Sequence, residues 1–249
     1  MIVSEWMGFY LLHESMLCSV LTARQRWLKK DGFMIPTWAK LLAAPVSVPQ
    51  LWARKVGFWK QADQTFGLNY SAAAAMAGEE LSATPQIEVV RKEAVLAQER
   101  VVWEADLTRL SVHELDLVSN DSLEFKIPGN TAHDSSSGRA MHGLCLWFSV
   151  GGPTASLLQA ASMRSTLLIA SHDPIVTLQP LSTGPIDAET HWKQTIIALP
   201  EPLALERPVT RLECTVALRR GSGREYLLAL TVSEAASARE LLKSLTQNT

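Results

Sequence analysis

The chain has 249 residues, of which 47% are hydrophobic and 19% charged, and a formal net charge of -2. This composition suits one large globular domain or two smaller ones, and it offers no electrostatic footing for nucleic acid or an anionic membrane surface. The three cysteines, Cys18, Cys145 and Cys214, and the six histidines are dispersed, so no metal-ligand spacing arises. The odd, scattered thiols point to a reducing compartment, the cytoplasm or the nucleus.

Residues 1–4 read as the end of a buried strand. The apolar run 6–12 is flanked by Glu5 and Glu14 with no basic segment before it, which is not the layout of a secretory leader. No apolar run reaches the roughly 18 residues of a membrane span. Residues 4–17 set the two carboxylates among apolar neighbours, with a bend at Gly8 between them. A turn that returned Glu14 beside Glu5 would make a two-carboxylate clamp, whose natural guest is a planar guanidinium. Spacing alone favours a plainer role, in which Glu5 ends a strand and Glu14 caps a helix.

The spacing predicts a helix over 14–31, with Leu17, Val20, Leu21, Arg24, Trp27 and Leu28 on one stripe, and Gly32 placed to end it. Residues 33–35 form a short strand interrupted by Pro36, and Trp38 to Val46 reads as a longer one. Residues 50–66 carry Trp52, Val56, Phe58, Trp59, Ala62 and Phe66 at helical spacing, a face too apolar to leave in water. A turn over 66–71 leads to a second, alanine-rich helix over 72–81.

From residue 86 the chain is β-rich, with strands expected at 87–90, 101–107, 123–127, 141–148 and 192–199. His142 reads as a packing residue, having no acid or nucleophile nearby in sequence. Residues 128–139 read as a loop, and 151–180 as an extended hairpin or surface insertion. Strands over 211–219 and 225–232 flank Gly221-Ser222-Gly223, which leads into a strand and so is a hairpin turn rather than a phosphate loop. Residues 233–245 read as a closing helix.

Two stretches carry more specific wording. Ser4-Glu5-Trp6-Met7-Gly8, followed by Glu14-Ser15-Met16-Leu17, resembles the double-glutamate loop of the protein arginine methyltransferases. Thr190-His191-Trp192, preceded by Leu181-Ser182-Thr183-Gly184-Pro185, resembles the Thr-His-Trp loop of the same family, in the same order and at similar spacing. The resemblance implies an α+β, mainly β chain. Residues 1–36 would be the end of a doubly wound methyltransferase domain. Residues 37–249 would be a β-barrel, with a helical dimerisation arm inserted at about 48–82.

The same resemblance implies methyl transfer from S-adenosylmethionine to arginine in protein substrates. Glu5, Glu14 and His191 would be catalytic, and Trp6, Met7, Tyr10, Thr190 and Trp192 would line the substrate site. Met16 and Glu5 would touch the edge of the cofactor. Met7 with an intact Thr-His-Trp segment is similar to the members that make asymmetric dimethylarginine. Phe9 stands where many members have tyrosine, with Tyr10 one place later. No Gly-x-Gly turn joins a strand to a helix, so the chain is expected to lack the cofactor loop and to be inactive alone. Two other roles remain open at this point: a non-catalytic partner that dimerises through the arm with a full-length relative, and a β-barrel module that binds arginine-rich peptides.

Overall fold

The computed structural model describes residues 1–30, 32–128, 139–152, 179–205 and 209–234. The expected loop at 128–139, the insertion at 151–180 and the closing helix lie almost wholly outside these residues; Ser233 and Glu234 belong to a strand instead.

Strands β1 (Ile2–Val3) and β2 (Met34–Ile35) pair in parallel, and the Ile35–Pro36 peptide that follows is cis. Met34 is buried, but Val3 is 65% exposed, so the expected buried strand is covered on one side only. Between them, helix α1 runs from Met16 to Trp27. It is shorter than its periodicity suggests, because Glu14 and Ser15 take positive φ at one end and Leu28 turns extended at the other. Leu17, Val20 and Leu21 bury the expected stripe, whereas Trp27 is 71% exposed and leaves it. Arg24 lays its stem along the stripe, and its guanidinium donates to the carbonyls of Leu107 (2.5 Å) and Leu110 (2.7 Å).

The remaining strands form two antiparallel sheets. Six strands, β3 (Trp38–Val46), β4 (Gln86–Glu88), β5 (Arg100–Asp106), β7 (Ala140–Gly151), β8 (Leu181–Ser182) and β9 (Gln194–Ala204), make one sheet, in which β4-β9-β7-β3-β5 run side by side and β8 adds to β7. Strands β6 (Leu117–Pro128), β10 (Val209–Arg220) and β11 (Tyr226–Glu234) make the other. Strand β10 alternates buried and exposed residues, as a sheet with one wet face requires.

The edges of β5 and β6 are joined by side chains: Arg100 Nε donates to the Glu124 carbonyl at 3.0 Å, and Asn120 Nδ2 to that of Val101 at 3.2 Å. Among the described residues no backbone ladder closes the sheets into the expected barrel. Both sheets nonetheless share one core, with Leu41, Phe148 and Leu146 from the first meeting Phe125, Leu212 and Val216 from the second.

Strand β7 is buried along nearly its whole length because it is covered on both faces. Its other face, with Cys145 and Trp147, joins Leu51, Val56 and Leu81 of the helical insertion in a second core. That insertion begins at α2 (Pro49–Trp52), passes through a π-helical turn (Ala53–Gly57), continues as α3 (Phe58–Phe66) and returns as α4 (Ser71–Ala83). The π turn was not visible in the spacing. Gly67 ends α3 at φ 64°, a conformation that favours glycine, and Asp63 Oδ1 accepts the Tyr70 amide at 2.9 Å to fix the reversal.

Candidate functional site: two loops bound at one tryptophan

The segment 4–17 leaves β1 and folds on itself. Gly8 and Leu11 exchange both backbone hydrogen bonds at 3.0 Å, which closes a tight turn over Phe9 and Tyr10. Glycine is required at position 8, because a Cβ there would lie 2.7 Å from the carbonyl carbon and the Cβ of His13, and closer still to its carbonyl oxygen. A short 3-10 turn over His13–Ser15 then leads into α1. Trp6, Tyr10, Leu11 and Leu12 are buried. With those side chains turned to the core, Glu5 and Glu14 are left exposed, rather than set deep among apolar groups as the pattern suggested. Neither has an ion-pair partner among the described residues. Glu14 makes no side-chain cap to α1.

Tyr10 turns inward. Its hydroxyl donates to the Tyr226 carbonyl at 3.2 Å and lies 2.8 Å from Nδ1 of His13. Burial raises its pKa. The Tyr226 hydroxyl donates to the Leu115 carbonyl at 2.9 Å, and burial is the main cause pushing its pKa up to about 12. These phenols fasten the loop to the β10–β11 end of the fold, so the Tyr10 hydroxyl is occupied within the protein. Arg220 adds a second fastening. It donates to Cys18 Sγ at 2.9 Å and pairs with Asp116. Arg220 and Tyr226 had no signal in the sequence, since each acquires its role from a segment far away in the chain.

The second loop approaches from β9. The Trp192 indole donates to the Met7 carbonyl at 2.8 Å, across 185 positions of sequence. Trp192 is buried edge-on against Phe148 of β7, at 5.4 Å and 76° between rings. Exposed His191 lies against the Trp192 ring with centroids 3.9 Å apart. The Thr190 carbonyl accepts the Lys193 amide at 3.1 Å.

The preceding Leu181-Ser182-Thr183 segment is laid along β7. The Thr183 amide donates to the Phe148 carbonyl at 2.9 Å, and Gln194 Nε2 donates to the Thr183 carbonyl at 2.8 Å. Met7 is half-buried against the core, and Met16 is partly exposed at the start of α1.

Backbone strain marks the same two loops. Among the described residues, the non-glycine residues with positive φ are Leu11, Glu14, Ser15 and Lys193. Each costs roughly 1–3 kcal/mol, which persists only where surrounding packing over-determines it. Two polar atoms in these loops, Trp6 Nε1 and Thr190 Oγ1, are buried without hydrogen-bond partners among the described residues. Backbone strain of this kind clusters at functional sites, whereas the unpaired polar atoms are not confined to these loops, since Trp52 Nε1 and Thr195 Oγ1 are likewise buried without partners among the described residues.

The family model of the arginine methyltransferase oligomerization subdomain matches residues 37–233. The chain belongs to the protein arginine methyltransferase family. It is 35% identical over 215 residues to the probable protein arginine N-methyltransferase 6.1 of Oryza sativa subsp. indica, covering 83% of this chain and 52% of that one. It is 31% identical over 259 residues to the probable protein arginine N-methyltransferase 6 of Arabidopsis thaliana, covering 97% and 56%. Among solved structures it resembles the PRMT1 enzyme–prozyme heterotetrameric complex of Trypanosoma brucei with AdoHcy, at TM-score 0.71 and 22% identity over 95% of this chain and 63% of that one. The chain spans about half the length of the curated relatives it matches.

The family implies S-adenosylmethionine, and the glycines at Gly8 and Gly151, each beside a strand end, do not form a cradle for it. Gly8 follows β1, but the space over it is filled by His13. Gly151 ends β7, and a Cβ there would run into the Trp38 ring. Neither glycine opens toward a ligand, as a nucleotide-cradling turn must.

Proposed function

We propose that the chain supplies the arginine-binding side of a protein arginine N-methyltransferase, with Glu5 and Glu14 as a guanidinium clamp. The reading is carried by the Trp192–Met7 hydrogen bond, which brings the Thr-His-Trp loop onto the double-glutamate loop. A guanidinium stays protonated in proteins and is a poor nucleophile. Carboxylates that hold two of its nitrogens draw charge toward them and leave the third free to react. Glu5 and Glu14 suit this task because they are exposed and lack competing cations among the described residues. Trp6, Met7 and Thr190 form the floor, and Trp192 fixes the distance between the loops. His191 stands at the rim as the group available to accept a proton. Tyr10 supports the loop from beneath rather than touching the substrate.

S-adenosylmethionine would supply the methyl group, and the residues that hold it would come from a nucleotide-binding segment outside those described. Residues 1–36 then form the edge of that segment's domain, and 37–249 the substrate domain. The free thiols of Cys18, Cys145 and Cys214 fit a cytoplasmic or nuclear setting. The deciding experiment grafts the cofactor-binding half of a full-length relative onto Met1 and follows labelled methyl transfer to an arginine peptide. Glu14→Gln should abolish transfer, with the loss in kcat rather than KM. Substantial turnover in that variant would remove the clamp from the mechanism.

A second reading, a non-catalytic subunit, is favoured by the arm, where Phe58 is 55% exposed, Phe66 67% and Met76 69%. Apolar side chains so exposed on one insertion call for a protein partner. Light scattering of the chain alone, and mixed with a full-length relative, tests this. A mixed assembly that is weakened by Phe66→Ser supports it, and a monomer in both samples rejects it.

A further inference from the structure

On the side of the fold built by the arm, a cleft of about 830 Å³ opens between α3, α4 and the end of β9. Its walls are the rings of Trp52, Trp59 and Tyr70, and its rim carries Asp63, Glu79 and Glu201. No lysine or arginine lines it among the described residues. The Trp59 and Tyr70 rings lie 5.9 Å apart at 41°, so they form two inclined faces rather than a closed stack. Asp63 spends Oδ1 on the Tyr70 amide, while Glu79 and Glu201 are exposed, with no ion pair among the described residues. None of these residues belongs to the two loops that bear Glu5, Glu14 and His191.

Aromatic faces edged by carboxylates, with no cation of their own, are complementary to a cation that carries flat or apolar surface. An ammonium is compact and strongly hydrated, and it gains least from such walls. A guanidinium is planar and weakly hydrated. It stacks on indole and phenol faces while its N–H fork reaches carboxylates. One more atom fits a peptide guest. The Trp52 indole N–H is buried and has no acceptor among the described residues, and a peptide carbonyl would supply one.

We propose that this cleft is an arginine-binding exosite, which holds a second arginine of a peptide substrate while the two loops hold the reacting one. The proposal rests on the reading of the protein as an arginine-modifying chain, but it uses different residues and can fail separately. Its occupant is a cationic, arginine-bearing peptide. With the exosite filled, an arginine-poor peptide would lose its second anchor, so the cleft would select substrates with several arginines.

The test uses the 249-residue chain and fluorescence anisotropy with a labelled arginine–glycine peptide. The control is the same peptide carrying citrulline, which keeps the shape and loses the charge. The arginine peptide should bind, the citrulline peptide should bind about tenfold more weakly or worse, and salt should weaken the former. Trp59→Ala should reduce affinity about five- to tenfold. Because Trp59 also packs within the arm, the paired change Glu79→Gln with Glu201→Gln provides a second variant. Both carboxylates are exposed, so the fold should survive, and affinity should fall by a similar factor.

A double Glu5→Gln, Glu14→Gln protein should keep most of the peptide affinity of the cleft. If the cleft variants bind as the wild type does while the Glu5/Glu14 variant loses the peptide, the exosite is refuted and the clamp stands. If the chain dimerises through this face and no arginine peptide binds, the exosite is likewise refuted.

Discussion

Two glycines, Gly8 in the loop after β1 and Gly78 in α4, make opposite predictions from one geometric argument. At Gly8 a Cβ would sit 2.7 Å from the carbonyl carbon and the Cβ of His13, and nearer still to its carbonyl oxygen. Such separations are essentially never tolerated, and the neighbour here is backbone rather than the end of a flexible side chain. The loop has little room to retreat, because Gly8 is held to Leu11 by two backbone bonds and His13 adjoins the positive-φ pair Glu14 and Ser15. Gly8→Ala should therefore cost about 1–3 kcal/mol. For a chain of this size, that lowers the melting temperature by about 2–4 °C per kcal/mol.

Gly78 is buried within α4, but a Cβ there would meet only the Pro200 carbonyl, at an ordinary 3.9 Å. Gly78→Ala should stabilise by about 0.5–1 kcal/mol through the helix preference for alanine. Thermal unfolding followed by circular dichroism measures both. A Gly8→Ala protein that melts within about 1 °C of the wild type would show that the loop is not packed as described, and would remove the rigid base proposed for the clamp.

Trp192→Phe keeps a ring against Phe148 but deletes the donor to Met7; it should cost about 1–2 kcal/mol in urea unfolding, and an unchanged midpoint would mean the two loops are held by something else. Glu14→Gly releases a residue held at φ 73° and should stabilise by about 1 kcal/mol while destroying methyl transfer in the grafted enzyme; a destabilised variant would refute the strain argument. Burial lowers the pKa of His142, which is 6% exposed, so it folds neutral. The unfolded chain takes up the proton first as pH falls below about 6.5, and the melting temperature should decline from there toward the folded pKa and then level. His142→Phe should flatten that decline, and an unchanged pH profile would exclude the residue. Calorimetry of the 249-residue chain with S-adenosylmethionine should show no measurable binding, and a micromolar dissociation constant would reveal a nucleotide site beyond the residues described here.

What the sequence made legible follows from where pattern and environment agree. Strands β10 and β11 alternate cleanly because each has one wet face, and β7 reads as a continuous apolar run because it has none. The first half of β6 was missed because Leu117 to Ser122 is polar and mostly exposed; only its pairing with β10 makes it a strand. The helical arm was visible from its aromatic spacing, but its π turn was not, since an extra residue in one turn barely disturbs the periodicity.

In the site, the two motif segments could be read, but the bond that joins them could not, because it links an indole to a main-chain carbonyl and leaves no trace in residue types. The exposure of Glu5 and Glu14 was hidden for a related reason. Their apolar neighbours turn inward through a turn whose direction depends on Gly8 and three positive-φ residues.

Strand β7 places the candidate site and the arm on one rigid element. On one face Phe148 supports Trp192, which sets the position of Met7 and hence of the loop between Glu5 and Glu14. On the other face Cys145 and Trp147 pack with Leu51 and Val56 of the arm. Gln194, at the start of β9, bridges the same two regions: its Oε1 accepts the Val90 amide at 2.7 Å and its Nε2 donates to the Thr183 carbonyl at 2.8 Å. A sheet buried on both sides resists displacement, because shifting any strand breaks ladder bonds and packing together. Strained loops need such a base, since roughly 1–3 kcal/mol at each unfavourable φ would otherwise be released by local rearrangement. The loop that bears Glu5 and Glu14 is thus held on a fixed base while the two carboxylates stay exposed, as the proposed clamp requires.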